Sequence, residues 1–261
     1  MTPLEYLGAT EQDDGWSLRL PRSIHGAFGG VTGGALAAAA VAISRGSAPG
    51  RTAVGLDVHF VRGLASEDAS AKVDVLSSGR SLTVVRVEFS DDTGRRTTAA
   101  TVTFAEPSAL AALESDVPAT HLGPPPTDLV ENSKPWRAPP NVDVPIIDTA
   151  QPRAARMGDA IATVVTVPWE PDADGAEGSC LAADLSVGPP VDAVPPKGSW
   201  VPHPNPDISL RFAGPVASSD LVAVAACRRT NAGVATVESE VWDGPNLVAT
   251  AISTSLFMAK R

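Results

Sequence analysis

Two periodicities alternate along this chain. In Ala71-Lys72-Val73-Asp74-Val75 apolar and charged residues take turns, and in Thr83-Val84-Val85-Arg86-Val87-Glu88-Phe89 the odd positions form an apolar face while Arg86 and Glu88 point away. A period of two marks half-buried β-strands. Ser78-Gly79 and Asp92-Thr93-Gly94 lie where hairpin turns are needed, so segments near 53 to 63, 69 to 77, 81 to 91 and 95 to 105 are expected to form an antiparallel meander. A short strand from Asp14 to Leu20, closed by Pro21, precedes them. Between that strand and the meander the pattern changes. Phe28-Gly29-Gly30-Val31-Thr32-Gly33-Gly34 runs into Ala35-Leu36-Ala37-Ala38-Ala39-Ala40-Val41-Ala42-Ile43-Ser44, apolar all round, with no charge before Arg45 and a stop at Gly46. This predicts one core helix near 30 to 45, too short to cross a bilayer and covered by one face of the sheet. The glycines at its start permit close approach of another backbone. They serve either tight helix packing or an N-terminal site where free N–H groups meet an anion or oxyanion.

The same succession returns downstream. A β-branched run from Asp159 to Val167 is followed by a candidate short helix, Leu181 to Val194, interrupted by Pro189-Pro190. Strands are then expected at Ile208 to Phe212, Leu221 to Arg229, Val234 to Trp242 and Leu247 to Phe257, with turns at Asn231-Ala232-Gly233 and Asp243-Gly244-Pro245-Asn246. Phe60 and Phe212, Gly79 and Gly233, Gly94 and Gly244, and Phe104 and Phe257 are 152, 154, 150 and 153 positions apart. A near-constant offset through strands and turns is the signature of a duplicated unit. The reading is an α+β fold of two equivalent halves, 1–106 and 151–261, each an antiparallel sheet wrapped around a central helix. The sheets can join edge to edge, which removes exposed strand edges. Pro124-Pro125-Pro126, Pro135, Pro139-Pro140 and Pro145 make 107–150 a connector, expected to run over the surface and pack few of its own side chains.

Composition narrows the function. With 261 residues and 43% hydrophobic content the chain can bury a real core, and a formal charge of −10 with scattered basic residues argues against nucleic acid and anionic membrane as partners. The N-terminal residues have neither a basic region nor an apolar run, so a cytoplasmic protein is expected. Cys180 and Cys227 lack a C-x-x-C spacing and read as reduced, buried thiols; His25, His59, His121 and His203 have no metal-binding spacing, so no metal is expected.

Phe28-Gly29-Gly30 opening an alanine-rich helix, Leu56-Asp57-Val58-His59-Phe60-Val61-Arg62-Gly63, and Val73-Asp74-Val75-Leu76-Ser77-Ser78-Gly79-Arg80-Ser81 together closely resemble the N-terminal half of bacterial acyl-CoA thioesterase II. The second half resembles it more thinly, in Ala183-Asp184-Leu185, Asp207-Ile208-Ser209-Leu210-Arg211-Phe212 and Leu247-Val248-Ala249-Thr250-Ala251-Ile252-Ser253. The resemblance implies a double hotdog fold, a role in fatty acid metabolism, and hydrolysis of an acyl-CoA thioester to free acid and CoA. No cofactor is implied, CoA being part of the substrate. Related double-hotdog chains often pair their sheets, which makes a homo-oligomer an expectation.

The family holds a water against the thioester carbonyl with an aspartate at the second helix, a threonine before the next strand and a glutamine in the last strand. The resemblance places these at Asp184, Asn205 and Ser253, with only the aspartate retained. Thioester hydrolysis needs a positioned water, a carboxylate to take its proton and donors for the developing oxyanion. Asp184 would be that base, or else an N-cap of its helix. Gly29 and Gly30 are candidate oxyanion donors, and His25 and Asp57 candidate substrate contacts. Arg62, Arg80 and Arg86 are either contacts for CoA phosphates or plain surface charge. Two functions stand side by side: a thioesterase, and a hotdog protein that binds an acyl-CoA or related ligand without turning it over. A hotdog hydratase, which would need a histidine and acid pair, is a third.

Overall fold

The computed structural model describes residues 1–110, 122–138, 141–196 and 199–259. In chain order the elements are α1 (Pro3–Tyr6), β1 (Thr10–Gln12), β2 (Gly15–Arg19), α2 (Gly33–Ser44), β3 (Thr52–Phe60), β4 (Asp68–Ser78), β5 (Leu82–Asp91), β6 (Arg96–Ala105), α3 (Thr127–Glu131), β7 (Lys134–Pro135), α4 (Pro145–Ala150), β8 (Arg153–Met157), β9 (Ala160–Thr166), α5 (Ala176–Asp192), β10 (Asp207–Phe212), β11 (Asp220–Asn231), β12 (Val234–Asp243) and β13 (Asn246–Leu256).

Every strand pairing is antiparallel, and the two expected sheets are one, in the order β1-β2-β4-β5-β6-β3-β10-β13-β12-β11-β9-β8-β7. The order is a mirror: β2-β4-β5-β6-β3 on one side of the junction is matched in reverse by β10-β13-β12-β11-β9 on the other. The halves meet where β3 lies against β10, with Leu56 opposite Leu210 and Val58 opposite Ile208, all four buried. Alternation sets the faces: in β5 Thr83, Val85, Val87 and Phe89 are buried, the odd positions of the pattern. The hairpins turn as their residues dictate. Asp91 accepts bonds from the Thr93 and Arg95 N–H groups around Gly94, whose φ is 80°, and Ala232 and Gly233 take φ 50° and 81° between β11 and β12.

Both helices lie inside the curve of the sheet, α2 under β3, β5 and β6 and α5 under β9, β11, β12 and β13. They also touch one another and run antiparallel: Gly34 at the start of α2 meets Leu181 and Asp184 of α5, while Arg45 at its end meets Glu177 and Asp174. The Ala-rich face of α2 allows this, since every residue from Gly34 to Ser44 is buried. Arg45 donates to Glu177 at 2.7 Å and to Asp174, whose other oxygen accepts the Ala53 N–H at 2.7 Å. Burial pulls the Arg45 guanidinium down, but the hydrogen bonds it donates to Glu177 and Asp174 outweigh it and hold Arg45 firmly charged.

Two expectations need correction. The helix of the second half is longer than that of the first, 17 residues against 12, and carries Pro189 and Pro190 within it. Each proline removes one N–H, but both fall in the final turn and are buried alongside Val187 and Val191, so packing holds the turn that propensity would end. The Pro-rich connector also packs more than expected. Residues 111–121 and 139–140 lie outside the described part, but Ile146 and Ala150 of α4 are fully buried in the main core and the β7 pair extends the sheet.

Candidate active site

The site forms where the start of α2 touches the middle of α5. Thr32 enters α2 in an extended conformation, and the glycines that follow are required by what faces them. A Cβ on Gly34 would lie 2.8 Å from the Leu181 Cα, the Cys180 carbonyl oxygen and the Asp184 Cβ; one on Gly33 would strike the Phe60 ring at 2.6 Å. The packing and N-terminal readings of these glycines are thus both met, since the same approach lets the Gly34 N–H donate to Asp184 Oδ2 at 2.8 Å. Asp184 is the ninth residue of α5 rather than an N-cap of it: it caps the other half's helix.

Asn205 reaches Asp184 from the segment between α5 and β10. Ser255 Oγ donates to Asn205 Oδ1 at 2.9 Å, which turns the amide so that its NH2 group faces the carboxylate. Burial pushes the Asp184 carboxyl up from the ordinary carboxylate range, while the Gly34 N–H and Asn205 pull it back. The positive end of α2 acts in the same sense as those donors.

Asp184 and Asn205 line a cavity of about 420 Å³ whose walls include Leu36, Phe60, Leu64, Leu185 and Leu256, with Gly30, Gly33 and exposed Arg62 also on it. The other expected residues lie elsewhere. Ser253 is buried, donates to the Asp207 carbonyl at 2.7 Å and does not line the cavity; Ser255, two residues on along the same face of β13, is the hydroxyl that reaches Asn205. Asp57 points to the outer face of the sheet and pairs with Arg211 across the junction at 3.2 Å. The Gly29 N–H is spent on the Gly26 carbonyl in a turn, because the helix begins at Gly33 and not at Phe28-Gly29-Gly30. Gly30 does line the cavity, pressed against the Leu64 carbonyl. His25 is buried and faces a separate cavity of about 310 Å³ with Arg22, Gly29 and Trp200; burial pushes its imidazole down, toward the neutral form, against the opposing effect of the Gly29 backbone.

Sequence reasoning missed Ser255, Gly33, Trp136 and His203 as site residues, all of which touch Asn205 or the cavity. For Ser255 the period-two rule was a usable signal. No cluster of His, Cys, Asp and Glu among the described residues could hold a metal ion. Burial pushes the Cys180 thiol well up, which makes it a poor nucleophile.

An antiparallel sheet wrapped on a buried helix defines the class, and solved structures share it. The chain is 18% identical to a protein of unknown function with hot dog fold from Alicyclobacillus acidocaldarius (TM-score 0.74; 99% of this chain and 98% of that one covered). It is 17% identical to the tesB protein of Mycobacterium avium subsp. paratuberculosis (TM-score 0.69; 98% and 98%) and 14% identical to acyl-CoA thioesterase II TesB2 of Mycobacterium marinum (TM-score 0.73; 99% and 99%). The fold is a hotdog fold. Residues 18–105 match the family model of the acyl-CoA thioesterase N-terminal domain, the same stretch in which the motifs around Phe28 and Gly79 resemble acyl-CoA thioesterase II. None of the curated proteins compared with the chain matches it.

Proposed function

We propose that the protein is a double hotdog enzyme, with halves at 1–106 and 151–261 joined by 107–150, that hydrolyses an acyl-CoA thioester to free acid and CoA. The reading rests above all on Asp184: a carboxylate held by a backbone N–H and an amide at the wall of an apolar cavity, in a chain whose first half matches an acyl-CoA thioesterase domain. The acyl chain occupies the apolar part of the cavity and the CoA portion leaves past Arg62, whose charge suits phosphate. The attacking water sits on the cavity side of Asp184, whose carboxylate Asn205 orients. Asp184 takes its proton as the water oxygen attacks the thioester carbon; Gly33 N–H, free of any intrahelical acceptor at the first position of α2, steadies the oxyanion. Collapse of the tetrahedral adduct expels CoA thiolate, which takes the proton from Asp184, and the acid departs.

The test is release of free thiol from a panel of acyl-CoAs. Asp184→Asn keeps the size of the side chain and removes the proton acceptor, so turnover is expected to fall by roughly two to four orders of magnitude. Wild-type protein that binds acyl-CoA and releases no thiol would establish the alternative, a binding protein.

A further inference from the structure

Three residues of the connector, Trp136, Val144 and Ile146, line the cavity, and the first of them stands against α5. The Trp136 backbone is fixed by its N–H, which donates to the Pro152 carbonyl at 2.8 Å, directly after the β7–β8 pair. Its ring lies on Gly188 of α5: a Cβ there would be 3.0 and 3.1 Å from ring carbons Cζ2 and Cη2. The absent side chain at Gly188 is the seat for the indole, and Asp192, one turn further along α5, faces the indole N–H. Gly188 is four residues past Asp184, and both line the cavity. At 1.5 Å rise per residue the indole therefore sits about 6 Å beyond the carboxylate along the helix. Phe28, Arg62 and Gly63, all exposed, mark the open side, whereas Trp136 is half-buried on α5, one turn past Asp184.

We infer that Trp136, seated on Gly188, closes the acyl cavity about one helical turn beyond Asp184 and limits the substrate to short acyl groups. An extended chain advances about 1.2 Å per bond, so 6 Å admits about five bonds, the length of a hexanoyl group. The inference deepens the hydrolase reading and rests on it for the identity of the ligand.

The experiment compares acetyl-, butanoyl-, hexanoyl-, decanoyl- and palmitoyl-CoA with wild type, Trp136→Phe and Trp136→Ala. Wild type is expected to favour butanoyl and hexanoyl over decanoyl by tenfold or more in kcat/KM. Trp136→Ala should reverse that preference, and Trp136→Phe, which keeps a ring on Gly188, should move the optimum by a smaller step the same way, so one folded variant suffices. Equal turnover of palmitoyl- and butanoyl-CoA by wild type, or a profile unchanged in a folded Trp136 variant, overturns the inference. If no thioester releases thiol, the hydrolase reading fails separately. Calorimetric binding of the same acyl-CoAs then decides the length limit: a sharp loss of affinity beyond hexanoyl, relieved in a Trp136 variant, supports it, and affinity that keeps rising with chain length overturns it.

Discussion

Asp184 works for stability and for chemistry in opposite directions. Because burial raises its folded pKa above the unfolded value, the native state holds a proton that the unfolded chain has already released, and the stability from this group is fully present below the unfolded pKa and is lost as pH rises through the raised folded pKa. The ionised form that the proposed hydrolysis requires is thus the less stable one. Near neutral pH, Asp184→Asn should leave the melting temperature unchanged or raised: its amide oxygen still accepts the Gly34 N–H, and Ser255, able to donate or accept, lets Asn205 turn to suit. Asp184→Ala should cost about 1–3 kcal/mol in denaturant titration, because it leaves that buried N–H without a partner. In the wild type, kcat/KM should fall on the acid side at a pH above the ordinary carboxylate value of about 3.9; an acid limb at or below that value would remove Asp184 as the base. The two serines of β13 separate likewise. Ser255→Ala frees the Asn205 amide to rotate and should lower kcat by roughly tenfold or more, whereas Ser253→Ala loses a bond to the Asp207 carbonyl, which does not line the cavity, and should leave kcat as it was.

At the scale of elements, the helix pair is fastened at both ends, by Asp184 on Gly34 and by Arg45 on Glu177 and Asp174. Glu177 is 1% exposed, so Arg45→Met strands a buried carboxylate and should cost about 3–5 kcal/mol by denaturant midpoint, with part returned by adding Glu177→Gln. A loss below about 1 kcal/mol would mean the cluster is solvated in solution. The contrast between these contacts and the strands shows what was legible beforehand. Strand faces and hairpin turns follow from local alternation and turn chemistry, as Val85-Arg86-Val87 and Asn231-Ala232-Gly233 illustrate, and Asp184 and Asn205, which the structure brings together on one cavity, were singled out through family motifs. The rest depends on tertiary neighbours. Pro189-Pro190 reads as a helix stop until the packing around Val187 and Val191 is known, and nothing local tells Ser255 from Ser253 or shows that Gly188 is small to admit Trp136. Where Asp184 sits in its helix depended on α5 beginning at Ala176, five residues before the first apolar signal used for it.

Across the whole molecule, the junction of β3 with β10 makes the sheet continuous, and one consequence concerns its two ends. Among the described strands the sheet closes on Thr10-Glu11-Gln12 at one margin, all three exposed, and on Lys134-Pro135 at the other. The first is three residues long and charged; the second is two residues long and has a position that cannot donate a backbone bond. Having joined its halves by their inner edges, the chain leaves outward margins that are poor templates for another chain. Assembly of several copies would then draw on the faces or loops of the molecule. The same margins keep crowded or freshly synthesised copies from lengthening one another's sheets into fibres, a hazard that grows with the length of an unguarded strand and is here confined to a handful of residues.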